Sequence, residues 1–275
     1  MQEAHLSNPK QNPRAGNRGW YRYYAGYSSS FVRDALRIAG YPTPHVLDPW
    51  VGAGTSAAVA AHHGLRFTGV DINPVLVVVA KARLLRLGST ETLEPLTAEI
   101  IDTAHRIRRA VDRADPLLAW FTPDSAATLR SIERSIGGVL ISQESATTVD
   151  PHELSSLAAF FYVALFLVTR SRLRSATTSN PTWIKSKIPL NRRARPSEAT
   201  LFLAFRRAQA SLSDFPCIES SSEVVSAERV EIQHGSSTSL NVPANSVDII
   251  ITSPPYCTRI DYVAGRSART CHSWL

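Results

Sequence analysis

The most constraining feature of this 275-residue chain is the direct succession of a strand, a glycine-containing loop, a helix and a second strand. The apolar run His45–Asp48 predicts a buried strand, and the alanine-rich segment Ser56–Gly64 predicts a helix that ends at glycine. A second strand is predicted over Arg66–Asp71, and a second helix over Val75–Leu87. This order is a βαβ unit, which implies parallel strand pairing and an α/β fold.

The alternation of strands and helices is interrupted and then returns. From Thr90 to Asp214 the pattern is mainly helical, and strands are predicted again over Glu228–Gln233 and Ser246–Thr252. We therefore predict one sheet domain that is split by an inserted helical subdomain. The predicted boundaries are 1–19 for a flexible N-terminal segment, 20–89 and 225–275 for the sheet domain, and 90–224 for the insertion.

Composition excludes several classes of protein. Hydrophobic residues make up 44% of the chain, which is enough for a core, and its three cysteines form no CxxC pair. A disulfide scaffold and a zinc ribbon are therefore excluded, no metal site is predicted, and a reduced, cytoplasmic protein is expected. The apolar run Leu157–Val168 is shorter than the roughly 20 residues of a membrane span, so it predicts a buried helix and no membrane partner.

The loop Asp48-Pro49-Trp50-Val51-Gly52-Ala53-Gly54-Thr55 lies between the first strand and its helix. Its glycines let the backbone approach a ligand, and the helix N-terminus favours a carboxylate or phosphate. Asp71 ends the second strand, where an acidic side chain can bind ribose hydroxyls. The combination predicts a cofactor that contains adenosine. The missing GxxxxGK motif argues against a P-loop ATPase, and the missing third glycine weakens NAD or FAD.

A second motif, Ser253-Pro254-Pro255-Tyr256, closes the last predicted strand. Neither proline can donate a ladder hydrogen bond, so the strand ends there, and the rigid backbone holds its carbonyls in fixed directions. Alone this motif is consistent with a simple strand-ending turn. Together with the glycine loop it indicates a functional site.

With these motifs the chain resembles the DNA amino-methyltransferases, the N4-cytosine and N6-adenine enzymes that use S-adenosylmethionine. DPWVGAGT is similar to their DPFxGxGT cofactor loop, TGVDINP to their ribose-binding acidic motif and TSPPY to their catalytic motif. HGSS, residues 234–237, is similar to the segment that lines the adenine. The resemblance covers residues 20–88 and 225–263 and implies a Rossmann-like methyltransferase sheet.

The resemblance also implies the site residues. S-adenosylmethionine would be held by Asp48, Pro49, Trp50, Gly52, Gly54, Thr55, Asp71 and Ser236. The catalytic set would be Ser253, Pro254, Pro255 and Tyr256, with the serine Oγ and the following carbonyl accepting the two amino hydrogens of the target base. The tyrosine would stack on that base once it leaves the duplex. SPPY is more typical of cytosine-N4 than of adenine-N6 enzymes.

The predicted insertion carries a dense group of cations. Between positions 170 and 207 there are ten Lys or Arg residues and one acidic residue, in a chain whose formal net charge is +7. Such clusters suit phosphate contacts, which give affinity without reading sequence. The nucleic-acid-binding candidates are Arg170, Arg172, Lys185, Lys187, Arg192 and Arg193. A solvated basic surface is the alternative interpretation.

The sequence ends soon after SPPY, whereas the enzymes that it resembles continue with further strands. We therefore expect a truncated or frame-shifted methyltransferase that lacks the C-terminal part of its sheet. The leading prediction is a site-specific DNA methyltransferase, for which a restriction endonuclease partner stays open. The alternatives are an RNA guanine-N2 methyltransferase and a catalytically inactive DNA-binding fragment.

Overall fold

The structure is a computed structural model that describes residues 5–9, 26–85, 90–107, 110–141, 149–173, 188–213 and 229–254. Within these residues the chain divides into two compact units. The first, called the sheet unit, lies within Met1–Leu87, Pro151–Ser156 and Phe215–Tyr256. The second, called the helical unit, lies within Gly88–Asp150 and Leu157–Asp214. The short stretch Pro151–Ser156, which is inside the predicted insertion, therefore belongs to the sheet unit.

The sheet unit contains four described strands, which are β1 (His45–Asp48), β2 (Arg66–Asp71), β3 (Val230–His234) and β4 (Ile249–Ile250). They form a parallel sheet in the order β3-β2-β1-β4. This mixed α/β arrangement confirms the predicted fold class and is consistent with a Rossmann-like methyltransferase sheet.

Three helices accompany the sheet, namely α1 (Ser29–Ala39), α2 (Thr55–His62) and α3 (Pro74–Arg83). Helix α1 begins at a true cap, because the Ser28 side chain accepts from the Phe31 N–H at 3.2 Å. Helix α2 packs on β2, and α3 packs on β2 and β3. The shared core is made mainly of small and branched side chains with the aromatic Phe67 among them, and its members include Val46, Val59, Ala60, Val77, Ile232 and Ile251.

The first two strands have the bounds predicted from the sequence, whereas the last two differ. Strand β3 starts at Val230 and reaches His234, because its register follows β2 as far as Asp71. Strand β4 is only two residues long. At Asp248 the N–H donates to the His45 carbonyl at 3.0 Å, but the His45 N–H donates to the Asp248 side chain at 2.8 Å, and the register between β1 and β4 starts with Val46 and Ile249.

The helical unit holds the predicted mainly helical region. Its helices are α4 (Thr90–Arg106), α5 (Pro123–Leu140), α6 (which starts at Ser156 and ends at Arg172) and α7 (Glu198–Ser213). Phe161 of α6 meets Phe205 of α7 with ring centroids 6.3 Å apart, and both rings are fully buried. Across the described residues, no helix combines the length and apolarity needed to cross a membrane.

A nearly buried ion network joins the middle of α5 to Asp115, which precedes that helix in the chain. Arg130 donates from Nε to Asp115 Oδ2 at 2.8 Å and from Nη1 to Glu133 Oε2 at 2.6 Å. The three side chains are 9–16% exposed. Because Arg130→Met would leave two carboxylates without this counter-charge, we expect the free energy of unfolding to fall by about 3–5 kcal/mol in urea titrations.

Arg206→Met is the matched control, since its pair with Glu94 spans 3.5 Å and both side chains are about half exposed. That change should cost less than about 1 kcal/mol. Burial raises the pKa of Glu133 and the Arg130 charge lowers it, so losing the arginine makes protonation of Glu133 easier. The stability lost by Arg130→Met should therefore shrink on acidification. Equal losses in both variants would contradict a structural role for the network.

Candidate functional site

The candidate site lies where the order of strands reverses. The chain runs from β1 outward to β2 and β3, and then returns to the other side of β1 as β4. In open parallel sheets such a switch point leaves a crevice at the carboxyl ends of the strands. The glycine loop follows β1 and Ser253-Pro254 follows β4, so the topology brings the two predicted motifs to the same edge.

The glycine loop is a tight turn that only glycine fits easily. Gly52 and Gly54 have φ values of 53° and 77°, a region that other residues rarely adopt. The Val51 N–H donates to the Val70 carbonyl at 3.0 Å and so anchors the loop on β2. A Cβ at Gly54 would lie 2.9 Å from the Cα of Ala80, so α3 packs directly against the loop. The loop is therefore held from both sides.

Asp71 joins the end of β2 to the glycine loop. Its Oδ2 accepts from the Gly52 N–H at 3.0 Å, and its Oδ1 accepts from the Asn73 N–H at 2.8 Å. Asn73 in turn caps α3 by accepting from Val75 N at 3.0 Å. The carboxylate is 7% exposed. Asp71 thus lies beside the glycine loop, where the sequence predicts a ribose-binding acid.

Asp48 is a buried hub of hydrogen bonds. Its side chain is 1% exposed, and its Oδ2 accepts from the hydroxyls of Tyr27 (at 2.7 Å) and Ser56. Its Oδ1 accepts from the Trp50 N–H at 3.2 Å and from the Thr252 hydroxyl at 2.7 Å. One carboxylate therefore connects the residue before the α1 cap, the glycine loop, the start of α2 and the chain just after β4.

Burial raises the pKa of Asp48, and its hydrogen bonds from Ser56, Tyr27, Thr252 and the Trp50 N–H lower it in part. The pKa of Tyr27 is also raised, first by burial and then by the negative charge of Asp48. Tyr27 therefore stays protonated and acts as a donor throughout the neutral range. Asp48 thus accepts hydrogen bonds from three hydroxyls and one backbone N–H, and no cation is among the partners described above.

The end of β3 completes this edge. The Gly235 N–H donates to the Asp71 carbonyl at 3.0 Å, which fixes Ser236 close to the end of β2. His234 donates from Nε2 to the Ile72 carbonyl at 3.1 Å. Ile72 itself is 46% exposed, an unusual apolar surface directly after an acidic residue.

All eight predicted cofactor residues therefore lie at one edge of the sheet, and they are Asp48, Pro49, Trp50, Gly52, Gly54, Thr55, Asp71 and Ser236. Of the predicted catalytic residues, Ser253 is half-buried and Pro254 is exposed, three and four positions after the last residue of β4. Pro255 and Tyr256 lie outside the described residues. The assignment of roles to these side chains stays a prediction.

Sequence reasoning missed four contributors to this edge, one of which is Ser56, whose hydroxyl donates to Asp48 Oδ2. Tyr27 and Thr252 donate to Asp48, and Arg83 donates from Nη1 to the Ala53 carbonyl at 3.3 Å and to Thr55 Oγ1 at 3.1 Å. Tyr27 does lie in an aromatic stretch and Thr252 directly precedes SPPY, but no spacing rule joins either of them to Asp48. In the sequence, Arg83 has the position of an ordinary basic residue near a helix C-terminus, so the pattern does not indicate a role at the site.

The predicted nucleic-acid residues fall in the helical unit. Arg170 and Arg172 lie in the last turn of α6, whereas Arg192 and Arg193 lie in and after a 3-10 turn over Leu190–Arg192. Lys185 and Lys187 lie outside the described residues.

Backbone hydrogen bonds hold the segment that carries Arg192 and Arg193. The Ala194 N–H donates to the Trp120 carbonyl at 2.8 Å, and the Thr122 N–H donates to the Ala194 carbonyl at 3.0 Å. The backbone of this segment is therefore held in place, and of its two candidate residues Arg192 is exposed whereas Arg193 is half-buried.

Comparison with known proteins gives one coarse result. No protein-family model matches the chain, and no solved structure matches it significantly. Over 81 residues, 30% of the chain, it is 30% identical to Ribosomal RNA small subunit methyltransferase J of Coxiella burnetii, and this stretch covers 32% of that protein. The chain thus spans about a third of the length of the relative that it matches. The relative is a methyltransferase, which supports S-adenosylmethionine as the methyl donor without singling out the DNA amino-methyltransferases.

Proposed function

We propose that this protein is an S-adenosylmethionine-dependent methyltransferase that acts on an exocyclic amino group of a nucleic-acid base. The observation that carries the proposal is the juxtaposition of the glycine loop and Ser253-Pro254 after two adjacent parallel strands. A cofactor loop and a catalytic motif need this proximity, because methyl transfer requires donor and acceptor to be held in line. Such positioning can contribute about 7–11 kcal/mol to catalysis.

The residues around the loop fit the chemistry of the cofactor. Gly54 is the N-cap residue of α2 and supplies no side-chain cap, so the first N–H groups of the helix suit the carboxylate of the methionine portion. Asp71 suits the ribose, because each carboxylate oxygen has two lone pairs and can accept a hydroxyl besides a backbone N–H. The exposed Ile72 offers an apolar surface to the adenine. Bound S-adenosylmethionine would supply a methyl group activated by a sulfonium.

The acceptor side uses Ser253 and Pro254. An exocyclic amino group is a poor nucleophile, because its lone pair is delocalised into the ring. In this proposal the serine Oγ and the Pro254 carbonyl accept the two amino hydrogens, which favours a pyramidal nitrogen whose lone pair faces the methyl group. Proline at 254 keeps that carbonyl in a fixed direction. A base in a duplex must first leave the stack to reach these groups.

DNA is the first candidate substrate, with N4 of cytosine as the first target atom and N6 of adenine as the second. The motif DPWVGAGT together with SPPY supports this choice. RNA is the second candidate, because the matched relative is named as a ribosomal RNA methyltransferase. The basic residues of the helical unit suit either nucleic acid, since they would contact phosphates.

The experiment that tests the function has two steps. Thermal unfolding of the purified chain is measured with and without S-adenosylmethionine, and a ligand at 100 times its Kd should add about 2.7 kcal/mol of stability. Transfer of a radiolabelled methyl group to duplex DNA and to small-subunit ribosomal RNA is then measured. Mass spectrometry of the nucleosides identifies which atom carries the methyl group. N4-methylcytosine or N6-methyladenine in DNA would support the first candidate, and an amino-methylated base in RNA only would support the second. A melt that the cofactor does not move, or methylation of ring or ribose atoms, would contradict the proposal.

The proposed phosphate contacts make a separate prediction. Reversing both Arg192 and Arg193 to Glu should weaken nucleic-acid binding, and the slope of log K against log salt should become shallower by about 0.9 for each lost phosphate contact with duplex DNA. Fluorescence anisotropy over a salt series measures this slope.

Reversal of Arg106 and Arg113 is the control, since both are exposed, lie in the helical unit and change the net charge equally. If the two double variants show the same slope, general charge and not the segment around Arg192 governs binding.

A further inference from the structure

The hub around Asp48 contains two side chains to which the proposed reaction assigns no role. Tyr27 and Thr252 come from opposite ends of the described chain, 21 and 204 positions from Asp48, yet both donate hydroxyl hydrogens to its buried carboxylate. Thr252 is the residue immediately before Ser253. A hydroxyl at this place joins the end of β4 to the residue that begins the glycine loop.

We propose that Thr252 is a positioning residue, which sets Ser253-Pro254 against the glycine loop through Asp48, with Tyr27 supporting the other oxygen of the carboxylate. This inference rests on the proposed function. It gives Asp48 a role in aligning the two halves of the site from behind, because Asp48 is buried and each of its carboxylate oxygens already accepts two hydrogen bonds within the protein.

The backbone shows why a side chain is needed there. The Ile251 N–H donates to the Leu47 carbonyl at 3.1 Å, which extends the pairing of β4 with β1 by one residue. At the next residue the contact with β1 passes to the Thr252 hydroxyl and Asp48 Oδ1. Pro254 has no N–H to give, so the ladder cannot continue through the motif. The Thr252 hydroxyl therefore holds the strand end directly before the reacting group.

The same carboxylate oxygen also holds the glycine loop. Asp48 Oδ1 accepts from the Trp50 N–H at 3.2 Å as well as from Thr252 at 2.7 Å. A shift of Thr252 would therefore displace Asp48 Oδ1 and, through its hydrogen bond, the Trp50 N–H of the glycine loop. Hydrogen bonds to a charged group in a buried site are stronger than those between neutral groups. A misplacement of about 1 Å can cost about a hundredfold in rate.

The test uses two substitutions of one side chain. Thr252→Val keeps the shape and removes the hydroxyl, whereas Thr252→Ser keeps the hydroxyl. We expect the valine variant to lose about tenfold or more in kcat, with a smaller rise in KM for S-adenosylmethionine because the glycine loop shares Asp48 Oδ1, and the serine variant to recover most of both. Thr43→Val, at an exposed position of the sheet unit, controls for the change of residue type.

Backbone hydrogen exchange gives a readout that does not depend on turnover. In Thr252→Val the amides of residues 50–54 and 249–253 should exchange faster than in the wild-type protein, and Thr252→Ser should restore their protection. Unchanged exchange in the valine variant, or a serine variant as slow in kcat as the valine variant, would overturn the positioning role. A wild-type protein that transfers no methyl group would contradict the proposed function, and the exchange rates would still decide whether Thr252 couples the two segments.

Discussion

Ser253→Ala is expected to abolish most methyl transfer while leaving cofactor binding intact. The serine Oγ is proposed to accept one amino hydrogen of the base, so its loss removes an interaction that matters most in the transition state. Removing one such preorganised hydrogen-bond partner typically costs about a hundredfold to a thousandfold in kcat. Single-turnover transfer of a radiolabelled methyl group measures the effect, and the thermal shift with S-adenosylmethionine measures binding.

Ser246→Ala is the matched control for that experiment. Its hydroxyl donates to the Pro243 carbonyl at 2.8 Å in an exposed turn of the same unit, so the variant loses one hydrogen bond away from the switch point. We expect wild-type transfer from this control. Undiminished transfer by Ser253→Ala would remove the serine from the catalytic set, whereas loss of the cofactor-induced shift would indicate damage to the cofactor site.

Gly54→Ala is expected to destabilise the sheet unit and to abolish the stabilisation by S-adenosylmethionine. The residue has a φ of 77°, and an added Cβ would lie 2.9 Å from both Cα and Cβ of Ala80. The left-handed conformation costs about 1–2 kcal/mol for a residue with a side chain, and overpacking adds about 1–3 kcal/mol. Chemical unfolding with and without the cofactor measures both effects.

Gly40→Ala separates the two costs. Gly40 has a similar φ of 73° at the end of α1, but its added Cβ would meet only the Ile38 carbonyl at 3.9 Å. This control should show the conformational cost alone and keep its response to the cofactor. If both variants lose equal stability and both respond to the cofactor, the contact between the loop and α3 is not required for the site.

Local pattern was sufficient for the first half of the sheet. The strands over His45–Asp48 and Arg66–Asp71 are buried apolar runs that end at an acidic residue, and the structure confirms both bounds. The later strands differ from their predictions because their ends depend on partners in β1 and β2. The side chain of Asp248, for example, accepts the N–H of His45, which is 203 positions away.

Asp48 shows the same limit within the candidate site. Its place in DPWVGAGT predicts a cofactor contact, and nothing in the local sequence shows that hydroxyls of Tyr27 and Thr252 converge on it. Hydrogen bonds between residues so far apart in the chain produce no periodicity or spacing in the sequence from which they could be predicted. Arg83 is a similar case, because its donation to the Ala53 carbonyl depends on how α3 packs against the loop.

The α/β class, the parallel pairing and the glycine loop could be predicted from the amino-acid sequence, because they follow from apolar periodicity and from backbone conformations that few residues adopt. The position of β4 beside β1, which brings Ser253 to the edge of the sheet that holds Asp71, is visible only in the folded chain. The burial of the Asp48 carboxylate among donors of the protein is likewise visible only there. Burial and strand order depend on contacts across the whole sheet unit, and such contacts are not encoded in any short stretch of residues.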